Sequence, residues 1–331
     1  MKKIAVIGAG GWGTALAILL SERGLPITIW GYDKAHVDEM NRTRLNLPFL
    51  PGVTLPENLT ATNSMADTAD ADLIVIVPPS KAMRSVAQQL ALTPPRPEVP
   101  LLSCTKGIEL HSGKLMTQIL QESLPNNPIA ALSGPSHAEE VARKAPTAVA
   151  VGCADHEIAK QLQQIFSTPN FRAYTSEDVT GMELGGALKN IFAIGAGVCD
   201  GLGLGDNTKA AYVTRALAEL IRLGVALGGK RETFQGLSGI GDLMVTCFSR
   251  HSRNRGVGER LGKGETLEQI SGSMAMVAEG VPTTLSAFEC ARKLGIETPI
   301  VDQIHAILYE GKAPGKATME LLNRDPRPEE D

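Results

Sequence analysis

The chain has 331 residues, 43% hydrophobic and 21% charged, with a net charge of −4 and an isoelectric point of about 5.9. That length predicts two domains, each able to bury a large core. The acidic balance argues against a nucleic-acid binder, which needs a basic field to displace the counterions around phosphates.

Lys2-Lys3 followed by apolar residues from 4 to 20 has the outline of a secretory leader. Gly8, Gly10, Gly11 and Gly13, with Thr14, interrupt that run, and a leader explains none of them. A strand at 3–7, a glycine turn and a helix at 14–23 explain them all. No later stretch approaches the ~18 consecutive apolar residues of a membrane span, so the expectation is a cytoplasmic protein. The turn Gly8-Ala9-Gly10-Gly11-Trp12-Gly13 has G-x-G-x-x-G spacing. One glycine turns the chain, one lets backbone approach a pyrophosphate, and one packs helix on strand. The helix N-terminus adds free N–H groups and partial positive charge. The motif alone is weak; at the first strand–helix junction of an alternating chain it predicts a bound dinucleotide, against the competing reading of a merely tight turn.

A second strand at 27–30 leads into Gly31-Tyr32-Asp33. Asp33 stands where an acid commonly takes the ribose 2′-OH of NAD, or it caps the helix that follows. Gly31-Tyr32 at the strand end leaves room for a 2′-phosphate, with Lys34, Arg42 or Arg44 as counter-charges, so NADP is favoured over NAD. Further strands are expected at 73–77, 101–104, 129–132 and 147–151, with helices at 81–90 and 114–123 between them. Continuously apolar strands alternating with helices predict a doubly wound, parallel α/β domain.

Two strand ends carry candidate chemistry, because ligands bind beyond the carboxyl ends of such strands. Ser103-Cys104-Thr105-Lys106-Gly107 offers Lys106 as a functional cation or as a solvated loop residue. Ser133-Gly134-Pro135-Ser136-His137-Ala138 opens a helix, with Ser136 either an N-cap or a ligand contact.

Past residue 178 the pattern becomes helical, with windows at 179–198, 209–227, 256–261, 282–294 and 301–309 and a polar tail at 324–331. Gly185-Gly186-Ala187-Leu188-Lys189-Asn190 places a lysine inside a strongly apolar helix. Burying it is costly unless it is paired or functional, and a desolvated lysine can exchange protons near neutral pH. Asp242 and Thr246, four apart after Gly239-Ile240-Gly241, share a helix face. Arg250-His251-Ser252-Arg253-Asn254-Arg255 is either a phosphate-binding cluster or a solvated basic loop. The five scattered cysteines suggest free thiols, and the six histidines form no metal-binding spacing.

The segments GAGGWGTALA, SCTKG, SGPSHA, GGALKN, GLSGIGDLMVTC, HSRNR and VAEG, in that order over almost the whole chain, resemble the bacterial NAD(P)-dependent glycerol-3-phosphate dehydrogenases. The resemblance implies an N-terminal Rossmann-type doubly wound sheet at 1–178 and an all-helical substrate-binding domain at 179–331. It implies reversible reduction of dihydroxyacetone phosphate to sn-glycerol 3-phosphate by hydride from NADPH or NADH, feeding glycerophospholipid synthesis. Carried over by position, Lys189 becomes the catalytic proton donor or acceptor. Lys106, Gly134, Ser136, Asp242, Ser252, Arg253 and Asn254 join it in binding substrate. Gly8, Gly10, Gly11, Trp12, Gly13, Tyr32, Lys106, Ala138, Arg253, Val277 and Glu279 bind cofactor, while Asn190 and Thr246 give polar support.

Competing readings are a β-hydroxyacid or 6-phosphogluconate-type dehydrogenase and a non-catalytic NAD(P)H sensor. A phosphate-binding HSRNR speaks against the first, and a buried Lys189 with Asp242 speaks against the second. A UDP-sugar dehydrogenase needs a cysteine nucleophile, and none here sits in a suggestive motif. The expected partner is a small molecule, with no nucleic acid, no membrane span, no metal and a homodimer.

Overall fold

The computed structural model describes residues 1–274, 276–326 and 328–329; part of the tail at 324–331 therefore lies outside the described residues. The strands are β1 (Ile4–Ile7), β2 (Ile27–Trp30), β3 (Leu45–Asn46), β4 (Leu50–Thr54), β5 (Leu59–Thr62), β6 (Leu73–Ile76), β7 (Leu101–Ser103), β8 (Ile129–Ser133), β9 (Thr147–Cys153) and β10 (Phe171–Ser176). Interleaved with them are α1 (Gly11–Ser21), α2 (Lys34–Thr43), α3 (Met83–Ala91), α4 (Met116–Ser123), α5 (Ala138–Ala142) and α6 (His156–Phe166). Helices alone follow: α7 (Val179–Gly201), α8 (Gly205–Ala226), α9 (Arg231–Phe234), α10 (Asp242–Phe248), α11 (Arg253–Gly262), α12 (Leu267–Gly272), α13 (Gly280–Leu294), α14 (Pro299–Tyr309) and α15 (Pro314–Leu322).

Eight strands form one sheet in the order β10-β9-β8-β7-β6-β1-β2-β5, while β3 and β4 pair separately. Alternation within the apolar strands fills two cores at once. Ile4 and Val6 join the layer that contains α1 and α6, and Ala5 and Ile7 join the layer of α3 and α4. Leu73 and Val75 of β6 face the first layer, Ile74 and Ile76 the second. This two-faced burial is why the runs read as apolar throughout. The chain builds outward from β1 to β2 and β5, then returns to β6 on its other side. The strand order therefore reverses between β1 and β6, where ligand crevices form.

Two details differ from the sequence expectation of a parallel sheet. β9 pairs antiparallel with β8, and β10 runs parallel to β9, so this end of the sheet is reversed. β5 and β10 were not expected; β10 alternates buried and exposed residues at Phe171, Arg172, Ala173 and Tyr174, so it lacks a continuous apolar run. Helix α1 starts at Gly11 rather than at 14, which puts Gly11, Trp12 and Gly13 in its first turn.

In the helical part, α7 is buried from Gly181 through Cys199 and carries the core with α8, α10, α11 and α13 packed around it. A helix apolar all round belongs in such a centre. Glu183 of α7 accepts from the Thr117 N–H (3.0 Å) and from the Thr117 hydroxyl at the start of α4, which ties the helical part to the sheet. Burial pushes Glu183 up to about 7 against the pull of those donors. A carboxyl raised by folding binds its proton more tightly in the native state, so its contribution is full at acid pH and is lost as pH rises through about 7. The difference in thermal midpoint between Glu183→Gln and the parent chain is therefore expected to move in the variant's favour from about pH 5 to pH 8. A pH-independent difference, measured by thermal unfolding, contradicts this.

Candidate active site

Beyond the carboxyl ends of β7 and β8, loops from the sheet meet α7 and α10. Gly185 and Gly186 let α7 approach closely: a Cβ on Gly186 would lie 2.6 Å from Ser133 Oγ, and one on Gly185 would strike the Ser238 carbonyl. One turn later Lys189 points into the gap. Its Nζ donates to Asp242 Oδ1 (2.6 Å) and to Thr246 Oγ1 (2.7 Å), and the Thr246 hydroxyl donates to the Asp242 carbonyl (2.6 Å). Lys106 arrives from the loop after β7 and donates to Asp242 Oδ2 (2.5 Å) and to the Gly134 carbonyl (3.1 Å). Asp242 itself opens α10 directly after one turn of π-helix, Leu237–Gly241, a distortion often found at functional sites.

One carboxylate thus faces two ammonium groups, one on each oxygen. Asp242 is 1% exposed and Lys189 6%. Burial lowers Lys189 to about 8, Asp242 opposes that fall, and the second cation Lys106 adds to it. Burial alone would raise Asp242, but the two lysines outweigh it and hold its carboxyl below the ordinary range. A lysine near 8, locked by two hydrogen bonds, can give or take a proton close to neutral pH.

Around this centre, Gly134 has φ +142°, and a Cβ there would lie 3.0 Å from Val149 Cα, so the β8 loop needs glycine to turn against β9. Ser136 donates to the Gly134 carbonyl (3.0 Å); the N-cap of α5 is His137, not Ser136. Asn254 donates to Asn190 Oδ1 (2.8 Å) and accepts from the Gly280 N–H (2.8 Å), which fastens the starts of α11 and α13 to α7. Ser252 is the N-cap of α11, accepting from the Arg255 N–H. The three arginines of HSRNR diverge. Arg253 is exposed and donates to the Val277 carbonyl (2.9 Å), Arg255 pairs with Asp200 and Glu259, and Arg250 is exposed. Glu279 crosses to the sheet, where both its oxygens are held by Ser80, through the N–H (2.9 Å) and the hydroxyl (2.5 Å). Ser80 was not expected among the site residues, although Pro78-Pro79-Ser80 follows a strand end just as the other site loops do.

The glycine turn lies at the strand-order reversal. Gly8 has φ +123°, and a Cβ there would come within 2.7 Å of the Val77 carbonyl. A Cβ on Gly13 would strike the Gly8 carbonyl, whereas nothing lies within 4 Å of the Cβ position of Gly10. The first N–H groups of α1 have no side-chain cap. An uncapped helix start beneath open space at Gly10 fits a dinucleotide pyrophosphate. Asn46 steadies the turn, donating to the Ala9 carbonyl (2.9 Å) and to Thr14 Oγ1 (2.7 Å), and His36 meets Asn46 Oδ1 at 2.9 Å. Trp12 is half-buried, and Ala138 lies 3.8 Å from the Cβ position of Gly11. Tyr32 is 86% exposed beside the turn. Asp33 caps α2, its carboxylate accepting from the His36 N–H. Arg44 donates to the Leu55, Pro56 and Leu59 carbonyls, while Lys34 and Arg42 form exposed pairs with Asp38 and Glu39 on their own helix.

Two family models match the chain. One is the N-terminus of NAD-dependent glycerol-3-phosphate dehydrogenase over residues 3–159, and the other is its C-terminus over residues 178–319. A glycerol-3-phosphate dehydrogenase (NAD(P)+) of Geobacter metallireducens is 49% identical, covering 99% of each chain. The protein of the same name from Fusobacterium nucleatum is 46% identical over 98% of each. The crystal structure of glycerol-3-phosphate dehydrogenase from Coxiella burnetii superposes with a TM-score of 0.94 at 38% identity, covering 98% of this chain and 99% of that one. With both halves matched, and with relatives this similar along their whole length, the chain belongs to the NAD-dependent glycerol-3-phosphate dehydrogenase family.

Proposed function

We propose that the chain interconverts dihydroxyacetone phosphate and sn-glycerol 3-phosphate, with Lys189 as the proton donor in the reducing direction. The observation that carries this reading is the Lys106–Asp242–Lys189 cluster, whose buried Lys189 is lowered to about 8 at the end of the sheet. Bound at the glycine turn, a reduced nicotinamide dinucleotide supplies the hydride. Lys189 gives its proton to the oxygen of the ketone as that oxygen becomes an alkoxide, and Lys106 stabilises the developing charge. Asp242 aims both lysines and favours the charged form of Lys189. Gly134, Ser136, Ser252 and Asn254 border the substrate, Arg253 holds its phosphate, and that remote binding energy positions the carbonyl. Trp12, Tyr32, Ala138, Val277 and Glu279 flank the cofactor, with Lys106 and Arg253 close to it.

In this reading residues 1–178 bind the dinucleotide and residues 179–331 supply most of the substrate site. NADPH is the favoured cofactor. Exposed pairs such as Lys34–Asp38 and Arg42–Glu39 are weak, so either cation can turn to a 2′-phosphate. Five buried free cysteines suit a reducing cytoplasm, and among the described residues no helix is long and apolar enough to cross a membrane. Exposed Ile240 in the π-helical turn, with exposed Met244 and Phe248 of α10, supports a homodimer. The product supplies the glycerol phosphate unit of phospholipids.

Oxidation of NADPH and of NADH, each measured with dihydroxyacetone phosphate and with unphosphorylated dihydroxyacetone, tests the reading. Turnover is expected with the phosphate ester alone, and Arg253→Ala is expected to raise its KM by about tenfold or more, the loss of a charge-assisted contact. No activity with the ester, or equal activity with both ketones, overturns the assignment.

A further inference from the structure

A second charge cluster, partly buried, closes the far end of α7. Lys209 of α8 grips Asp200 by both oxygens, its Nζ donating to Oδ1 (2.9 Å) and to Oδ2 (2.7 Å). Arg255 of α11 brings its Nε to 2.6 Å from Oδ2 of the same carboxylate. That contact is an ion pair and not a directed hydrogen bond, for Arg255 Nε has no hydrogen-bond partner among the described residues. Along α7, Asp200 lies roughly 16 Å from Lys189 at the ordinary rise per residue, so the cluster stands away from the reacting atoms.

Its place on α11 says what it can do. The backbone of Arg255 lies directly against α7: a Cβ on Gly197 would strike the Arg255 carbonyl, and one on Gly258 would strike the Ile194 carbonyl. Glycines of this kind set how closely two helices approach, but they form no directed bond that resists rotation of α11 about its axis. Asn254, bonded to Asn190 of α7 (2.8 Å), makes one pivot. The Arg255–Asp200 pair makes the second point that fixes a direction. Arg253 stands about 200° round the helix from Arg255 and so faces away from α7. There it donates to the Val277 carbonyl (2.9 Å).

We propose that Arg255 is a positioning residue: anchored on Asp200, it sets the turn of α11 that aims Arg253 at the substrate phosphate. The proposal rests on the phosphate reading of Arg253 above, and it gives the last arginine of HSRNR a role that needs no contact with a ligand. Asp200 is a firm anchor, because Lys209 holds it from α8 and itself lies 4.8 Å from the centre of the Phe248 ring at the end of α10. Removing Arg255 strands no charge. Asp200 keeps Lys209, and Glu259 keeps Lys263 (2.6 Å), so the fold should tolerate the change.

The test measures kcat and KM for dihydroxyacetone phosphate in the parent chain, Arg255→Met, Arg255→Lys, Arg253→Ala and the double variant Arg253→Ala with Arg255→Met. Arg255→Met is expected to raise KM about three- to tenfold, the size of a coupling between neighbouring contacts, with kcat within about twofold of the parent. Arg255→Lys should stay close to the parent. The contacting atom is Nε, the guanidinium nitrogen nearest the backbone, and a lysine ammonium reaches at least as far and can make this single contact. In the double variant KM should match that of Arg253→Ala alone, because an anchor has nothing to aim once Arg253 is gone. If Arg255→Met does not fold, Arg255→Gln, which sets a neutral amide near the place of Nε, replaces it with the same expectation. A loss confined to kcat, a lysine variant as impaired as the methionine one, or additive effects in the double variant overturns the proposal. So does an unchanged KM in Arg255→Met while Arg253→Ala raises it. An unchanged KM in Arg253→Ala itself overturns the phosphate reading on which the proposal rests.

Discussion

Lys189→Ala is expected to lower kcat for ketone reduction by about 10²–10⁴-fold, the usual contribution of a positioned general acid, while cofactor still binds. The fold should tolerate the change. Removing Lys189 leaves Asp242 bonded to Lys106, so one buried negative charge keeps one positive partner. The glycine turn is made by β1 and α1 and shares no hydrogen bond with Lys189, so cofactor affinity measured by fluorescence quenching should stay within a few-fold of the parent. The pH profile carries the sharper signature. Lys189 is lowered to about 8, and reduction needs its protonated form. In the parent, reduction should therefore fall as pH rises through about 8, while oxidation of glycerol 3-phosphate, which needs a neutral lysine to accept the proton, should rise over the same range. Both limbs should vanish in Lys189→Ala. Near-normal turnover with intact limbs assigns the proton to another group.

Much of this site is legible in the sequence because each part has a local cause. Gly8 and Gly13 are required by backbone contacts within a few residues or on the adjacent strand. Lys189 stands out because an ammonium in an apolar helical window needs a partner, and Asp242 and Thr246 stand out as one face of a short helix. Pairings set by tertiary approach are not legible. Nothing local shows that Ser80 and Glu279, 199 positions apart, share two hydrogen bonds, or that Lys106 and Lys189 divide one carboxylate. HSRNR shows the same limit in reverse. Its arginines are close in sequence, but the start of α11 fans them apart and Arg255 is drawn to Asp200. In the fold, the apolar strands at the sheet centre declare themselves, whereas β10, with one polar face, does not. The reversal of β9 depends on how the chain after α5 returns to the sheet, and its composition is the same for either direction.

Asp242→Asn is expected to damage both stability and chemistry, and the two losses can be separated. In the parent, Asp242 Oδ1 and Oδ2 each hold a different lysine, at 2.6 and 2.5 Å, with the carboxyl almost wholly buried. Asparagine keeps the shape but leaves two ammonium groups facing a neutral amide that can accept on only one side. Breaking a buried ion pair in this way typically costs about 3–5 kcal/mol, because charge is left without compensation. Lys189 can escape by shedding its proton, since the attraction that opposes its fall is gone while burial and Lys106 continue to lower it. The reduction limb should then move well below pH 8, and kcat at pH 7.5 should fall by about 10²-fold or more as the donor form is depleted. Removing the other cation tells the two effects apart. In Asp242→Asn with Lys106→Met, the repulsion is relieved, so the thermal midpoint should recover toward the parent. Activity should not, because nothing restores the carboxylate that keeps Lys189 charged and aimed. A limb that stays near pH 8 in Asp242→Asn means that Asp242 does not set the charge of Lys189, and recovery of activity in the double variant means that the aspartate serves the fold alone.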